Sequence, residues 1–84
     1  MGKLIRWSDE ARADVRSMDR EAALQLLKSL ARFLKTDAGD VKQLQGFHPP
    51  RYRLRVGDWR ITYRKRGEDG IEIIHVRNRK DAYR

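Results

Sequence analysis

The sequence predicts an α+β fold, with two N-terminal helices packed on one face of a small, mostly antiparallel sheet. Three observations predict it. Apolar side chains recur at helical spacing up to about residue 36, then alternate at strand spacing from residue 51. The alternating half is split by Gly57-Asp58, a two-residue hairpin turn. At 84 residues the chain is long enough for one modest core, so residues 1–84 are read as a single domain.

Each element has its own signal. Lys3 to Trp7 reads as a short strand. Ser8 is then an N-cap, with Asp9 and Glu10 in the first turn of a helix near 9–17 that carries Ala11, Val15 and Met18. Asp19 caps a longer helix near 20–36, whose stripe is Ala23, Leu26, Leu27, Leu30, Phe33 and Leu34. Gly39-Asp40 and Gly46 to Pro50 punctuate the chain and separate the helical half from the strand half. Tyr52, Leu54 and Val56 then face one way and Arg51, Arg53 and Arg55 the other. Gly57 stands at the first central position of the turn, as a type II′ turn prefers. Trp59, Ile61 and Tyr63 continue the first face, and Arg60, Thr62 and Arg64 the second. A second turn, Gly67 to Gly70, leads into Ile71–Arg77, apolar on both faces as a central strand should be.

A register follows. The Gly57-Asp58 loop pairs Val56 with Trp59, Arg55 with Arg60 and Leu54 with Ile61. A 67–70 turn pairs Arg66 with Ile71, Lys65 with Glu72, Tyr63 with Ile74, Thr62 with His75, Ile61 with Val76 and Arg60 with Arg77. Leu54, Val56, Ile61, Tyr63, Ile74 and Val76 then face the helices. Arg53, Arg55, Arg60, Thr62, Arg64, His75 and Arg77 share the other face, and Glu72 is expected to point away from it. Like charges directly opposite destabilise a sheet. An uncompensated row of Arg55, Arg60 and Arg77 therefore reads as an anion site, since the planar guanidinium fork suits phosphate.

Composition narrows the function. Twenty Lys and Arg against twelve Asp and Glu give a net charge of +8. Residues 1–50 hold nine bases and seven acids, and residues 51–84 eleven bases and five acids. The excess sits in the arginine-rich half, an electrostatic footprint for a polyanion. With no cysteine and two histidines, disulfides, thiolate zinc sites and cysteine nucleophiles are excluded, and neither a metal nor a small-molecule cofactor is expected. No apolar run is long enough for a membrane span and no signal peptide opens the chain, so a cytoplasmic protein without membrane contact is expected.

Leu44-Gln45-Gly46, the block Tyr52–Tyr63 (YRLRVGDWRITY) and the block Val76–Arg84 (VRNRKDAYR) resemble the RelE/ParE toxin superfamily of bacterial type II toxin–antitoxin systems, its RelE branch above all. The resemblance covers essentially the whole chain. It implies a RelE-like fold, similar to microbial ribonucleases, and a metal-independent endoribonuclease, an mRNA interferase that cuts mRNA in the 30S A site of the ribosome. There the ribose 2′-oxygen attacks the adjacent phosphate, which stops translation. The implied partners are a cognate antitoxin, the ribosome and mRNA.

By the same resemblance the catalytic positions fall at Arg53, Arg55, Arg60, Arg79 and Tyr83. Arg60 and Arg79 would grip the scissile phosphate. Arg53 and Arg55 would hold the transition state, and Tyr83 would stack on a base or protonate the leaving oxygen. Around them Arg51, Arg64, His75, Arg77 and Lys80 are candidate RNA-binding residues. Asn78 stands where many relatives carry histidine, and arginine is too basic to act as a general base. The base is then His75, His48, or no protein group. Two other functions fit parts of the sequence: a ParE-like, non-enzymatic inhibitor of DNA gyrase, and a basic nucleic-acid-binding module without catalysis.

Overall fold

The chain opens as a strand, Leu4–Trp7 (β1), and Ser8 turns it directly into a helix, Asp9–Arg16 (α1). The Ser8 Oγ accepts from the Ala11 N–H at 3.0 Å, the capping bond its position predicts. Asp19 accepts from the Ala22 N–H and starts Arg20–Thr36 (α2). That helix ends at Asp37, a left-handed residue whose N–H reaches the Phe33 carbonyl at 2.7 Å. Four strands follow: Asp40–Leu44 (β2), Arg51–Val56 (β3), Trp59–Arg66 (β4) and Gly70–Asn78 (β5). The structure, a computed structural model, describes residues 4–68 and 70–78.

The five strands form one sheet in the order β1-β5-β4-β3-β2. All neighbours run antiparallel except β1, which lies parallel to β5. The predicted α+β architecture is therefore what the chain forms. The hairpin register is as predicted, with Arg55 opposite Arg60 and Leu54 opposite Ile61. Positive φ occurs at Gly57 and not at Asp58, the pattern of a type II′ turn.

The core joins one stripe of the helices to one face of the sheet. Ala11, Leu26, Leu30 and Phe33 pack with Leu54, Ile61, Tyr63, Ile71, Ile73 and Val76. The helical stripe is narrower than the sequence suggests, because Leu27 is 39% exposed. Tyr63 stacks on Tyr52, and burial above all, with Tyr52 and Asp37 nearby, pushes its hydroxyl up to about 12. No helix among the described residues is long and apolar enough to cross a membrane.

Two expectations are corrected. The segment between Gly39 and Leu44 is not punctuation alone but the edge strand β2. Its one inward apolar side chain, Val41, is 37% exposed, so the strand carries little hydrophobic signal. The second correction is a β-bulge. Thr62 faces His75 and Arg60 faces Arg77 as predicted, but Tyr63 faces Ile73, Arg64 faces Glu72, Lys65 faces Ile71 and Arg66 faces Gly70. Ile74 is the extra residue of β5. The core residue is consequently Ile73, fully buried, and not Ile74.

The bulge is held from the N-terminal end of the chain. β1 stops at Trp7, leaving the edge of β5 beyond Ile73 without a strand partner. Ser8 fills the gap: its N–H donates to the Ile73 carbonyl at 3.0 Å and its Oγ to the Ile74 carbonyl at 2.6 Å. One step on, the Val76 N–H donates to Asp14 Oδ2 of α1 at 2.9 Å. Three backbone groups at and beyond the bulge are thus met by α1 and its cap.

Candidate functional site

The sheet face opposite the helices carries the basic residues, and strand register builds it row by row. One row runs Asp40, Arg55, Arg60, Arg77 across β2, β3, β4 and β5. The next runs Lys42, Arg53, Thr62, His75. Directly opposite residues on such a face stand about 4.5–5.5 Å apart at Cβ, and diagonal ones roughly 7–8 Å apart. Arg53, Arg55 and Arg60 are therefore brought together as the alternation predicts. Thr62, 7% exposed, is the buried floor between Arg53 and His75.

The arginines differ in what neutralises them. The bulge rotates Glu72 onto this face, where it takes Arg64 Nε at 2.6 Å, so the expectation that Glu72 points away is overturned. Arg77 is held by two carboxylates of α1: its Nη1 lies 2.6 Å from Asp14 Oδ1 and its Nη2 2.9 Å from Glu10 Oε2. The row is therefore compensated at its Arg77 end, contrary to the sequence reading. Among the described residues, no carboxylate pairs with Arg53, Arg55 or Arg60. The Arg53 Nε is buried and has no hydrogen-bond partner among those residues. A guanidinium donor left unmet beside two further unpaired arginines is suited to an incoming anion.

The remaining candidates surround this trio. Arg51 stacks its guanidinium 4.6 Å from the centre of the Phe47 ring, which is 40% exposed. His75 places Nδ1 3.3 Å from Glu10 Oε2. Its pKa is lowered, by burial first and then by Arg77, with Arg51 acting in the same sense against the carboxylates of Glu10 and Asp14. His48 is exposed in the loop between β2 and β3. Arg79, Lys80 and Tyr83 lie outside the described residues.

Sequence reasoning missed Glu10 and Asp14. Their spacing puts both on one side of α1, one turn apart, and that much was visible. Their partners are more than 60 residues away in sequence and only the fold shows them.

Two helices on one face of a five-stranded, mostly antiparallel sheet make an α+β fold that matches solved RelE structures. The structure is similar to archaeal RelE in its complex with RelB from Pyrococcus horikoshii OT3, with a TM-score of 0.74 and 21% identity over 94% of this chain and 97% of that one. It is similar to the toxin of the RelB–RelE complex from Methanococcus jannaschii, with a TM-score of 0.74 and 22% identity over 93% and 94% of the two chains. The isolated E. coli RelE toxin matches with a TM-score of 0.71 and 19% identity over 96% and 95%. Residues 5–83 match the family model of the ParE toxin of type II toxin–antitoxin systems, and the chain belongs to that family, within the RelE/ParE superfamily. No curated protein matches the sequence.

Proposed function

We propose that this toxin is an endoribonuclease that cuts mRNA in the ribosomal A site. The single observation that supports this best is the trio of Arg53, Arg55 and Arg60, adjacent on the open face and without a carboxylate partner among the described residues. Phosphoryl transfer spreads negative charge over the non-bridging oxygens, and fixed guanidinium groups stabilise it without reorganising. Here they take the place a metal ion holds in other nucleases. Arg53 and Arg60 meet the scissile phosphate, and Arg55 and Arg51 hold the backbone on either side. The family resemblance adds Arg79 and Tyr83 as catalytic candidates. Arg64 and Arg77 are set aside, because Glu72, Glu10 and Asp14 already match their charge.

The cognate antitoxin is the expected protein partner, as RelB is for the RelE chains of similar fold. The toxin would act in the cytoplasm, where translating ribosomes are. A second reading, non-enzymatic inhibition of DNA gyrase, is favoured by the match to the ParE family model and by Asn78 in place of histidine.

Inducing the toxin in cells and mapping mRNA 5′ ends separates the two. Cuts at fixed codon positions in translated frames, lost in Arg53→Ala and Arg79→Ala, are expected. Growth arrest with damaged DNA and intact transcripts would move the assignment to gyrase. Binding to a short single-stranded RNA should also weaken with salt. Three phosphate contacts give a log–log slope of about −2, or roughly a 20-fold loss between 50 and 200 mM salt. A flat salt dependence, measured by fluorescence anisotropy, would mean that the trio does not hold RNA phosphate.

A further inference from the structure

We propose that His75 is the general base of this toxin and that Glu10 is its positioning residue, the carboxylate holding Nδ1–H so that Nε2 faces the substrate as an acceptor. The inference rests on the nuclease reading above and supplies the base that the arginines cannot be.

The geometry sets a carboxylate within ion-pair reach of one ring nitrogen, close enough to orient it once Nδ1–H turns to it. Glu10 Oε2 stands 3.3 Å from His75 Nδ1. Glu10 is itself fixed by Arg77 Nη2 at 2.9 Å. Arg77 is anchored on its other side by Asp14, which also accepts the Val76 N–H. Three side chains and one backbone amide thus frame the imidazole from α1 and β5. An imidazole whose Nδ1 donates to a carboxylate carries its lone pair on Nε2. No hydrogen bond among the described residues occupies Nε2. His75 stands opposite Thr62, which stands opposite Arg53, so it shares the open face with the arginine trio.

The charged groups around the ring decide its protonation. Burial is the largest influence and disfavours the imidazolium, as do Arg77 on its own strand and Arg51 on β3, while Glu10 and Asp14 on α1 favour it; the net direction is down. The ring is therefore neutral at neutral pH, as a base must be. In the step it serves, the 2′-hydroxyl proton passes to Nε2 as the 2′-oxygen forms its bond to phosphorus. The bond from phosphorus to the 5′-oxygen breaks with its electron pair, and that oxygen takes a proton from water. The products are a 2′,3′-cyclic phosphate and a 5′-hydroxyl, and the imidazolium returns its proton to solvent.

The test is single-turnover cleavage of mRNA on programmed ribosomes from about pH 5 to pH 8, the range in which histidine titrates. The wild-type rate should rise through a midpoint below 6.5 and then level off. His75→Ala should abolish that limb and lower the plateau by about 10²–10⁴-fold, the usual worth of a positioned base. Glu10→Ala should keep a limb but move it to more acid pH and cut the plateau by roughly tenfold, because the carboxylate that favours protonation and fixes the tautomer is gone. A structural role alone would leave the limb in place.

Imidazole ¹⁵N spectra of the wild type provide a readout that survives misfolding of a variant. They should show the Nδ1–H tautomer, and an Nε2–H tautomer overturns the proposal. A wild-type rate and pH profile in His75→Ala, with Arg60→Ala impaired, overturns the dyad and leaves the nuclease standing. No cleavage by the wild-type toxin itself overturns both.

Discussion

Replacing Arg60 by alanine is expected to lower ribosomal mRNA cleavage by about 10²–10³-fold, the loss typical when one preorganised donor to a developing anion is removed. Arg60 sits on β4 between Arg55 and Arg77. Its charge is opposed by like charge on both sides, and only Arg77 is matched by carboxylates. Removing Arg60 relieves that repulsion, worth roughly 0.2–1 kcal/mol per facing pair. The thermal midpoint should therefore stay the same or rise by a few degrees, since 1 kcal/mol moves a domain of this size by about 4–8 °C. Activity and stability would move in opposite directions, which no misfolding account of the loss can reproduce. Arg64→Ala is the contrast. It removes a guanidinium already spoken for by Glu72, and less than about a tenfold change in cleavage is expected. Equal losses in the two variants would mean that the face binds through total charge and holds no particular phosphate.

Alternation and turn chemistry were enough to place Arg53, Arg55 and Arg60 on one face, because two-residue loops leave a hairpin no freedom of register. The 3.6-residue stripe of α2 was equally plain. What failed to show was non-local or polar. β2 has one apolar residue at its inward positions, the exposed Val41, and a strand of Asp40, Lys42 and Gln43 reads as loop until β3 is seen to need a partner. β5 hides its bulge for the opposite reason. Ile71, Ile73, Ile74 and Val76 make both of its faces apolar, so a shift of one residue leaves a pattern that looks just as good. The choice is made by Ser8 and Asp14, far away in the chain, which supply partners for the carbonyls and amide exposed by the shifted register. The carboxylates that settle which arginines are free enter by the same route. A reading confined to the strands sees seven basic or polar side chains on one face and cannot divide them.

The bulge can be tested by two neighbouring truncations whose ranking reverses between registers. Ile73→Ala empties a fully buried site between the helices and Tyr63, and should cost about 2–5 kcal/mol in urea unfolding. For a domain of this size, whose core supplies ~3–5 kcal/mol, that leaves a large fraction of the chain unfolded at 37 °C. Ile74→Ala should cost under about 1.5 kcal/mol, because its side chain is only half-buried and its carbonyl keeps the bond to Ser8 whatever side chain it bears. In an unbulged ladder the order would invert, with Ile74 opposite Tyr63 in the core. Glu72 would then turn toward the helices, Arg64 would lose its partner, and the open face would gain another unmatched guanidinium. The two unfolding curves thus bear on chemistry as well as packing. A larger loss in Ile74→Ala than in Ile73→Ala would overturn both the register and the division of the arginines into matched and unmatched that rests on it.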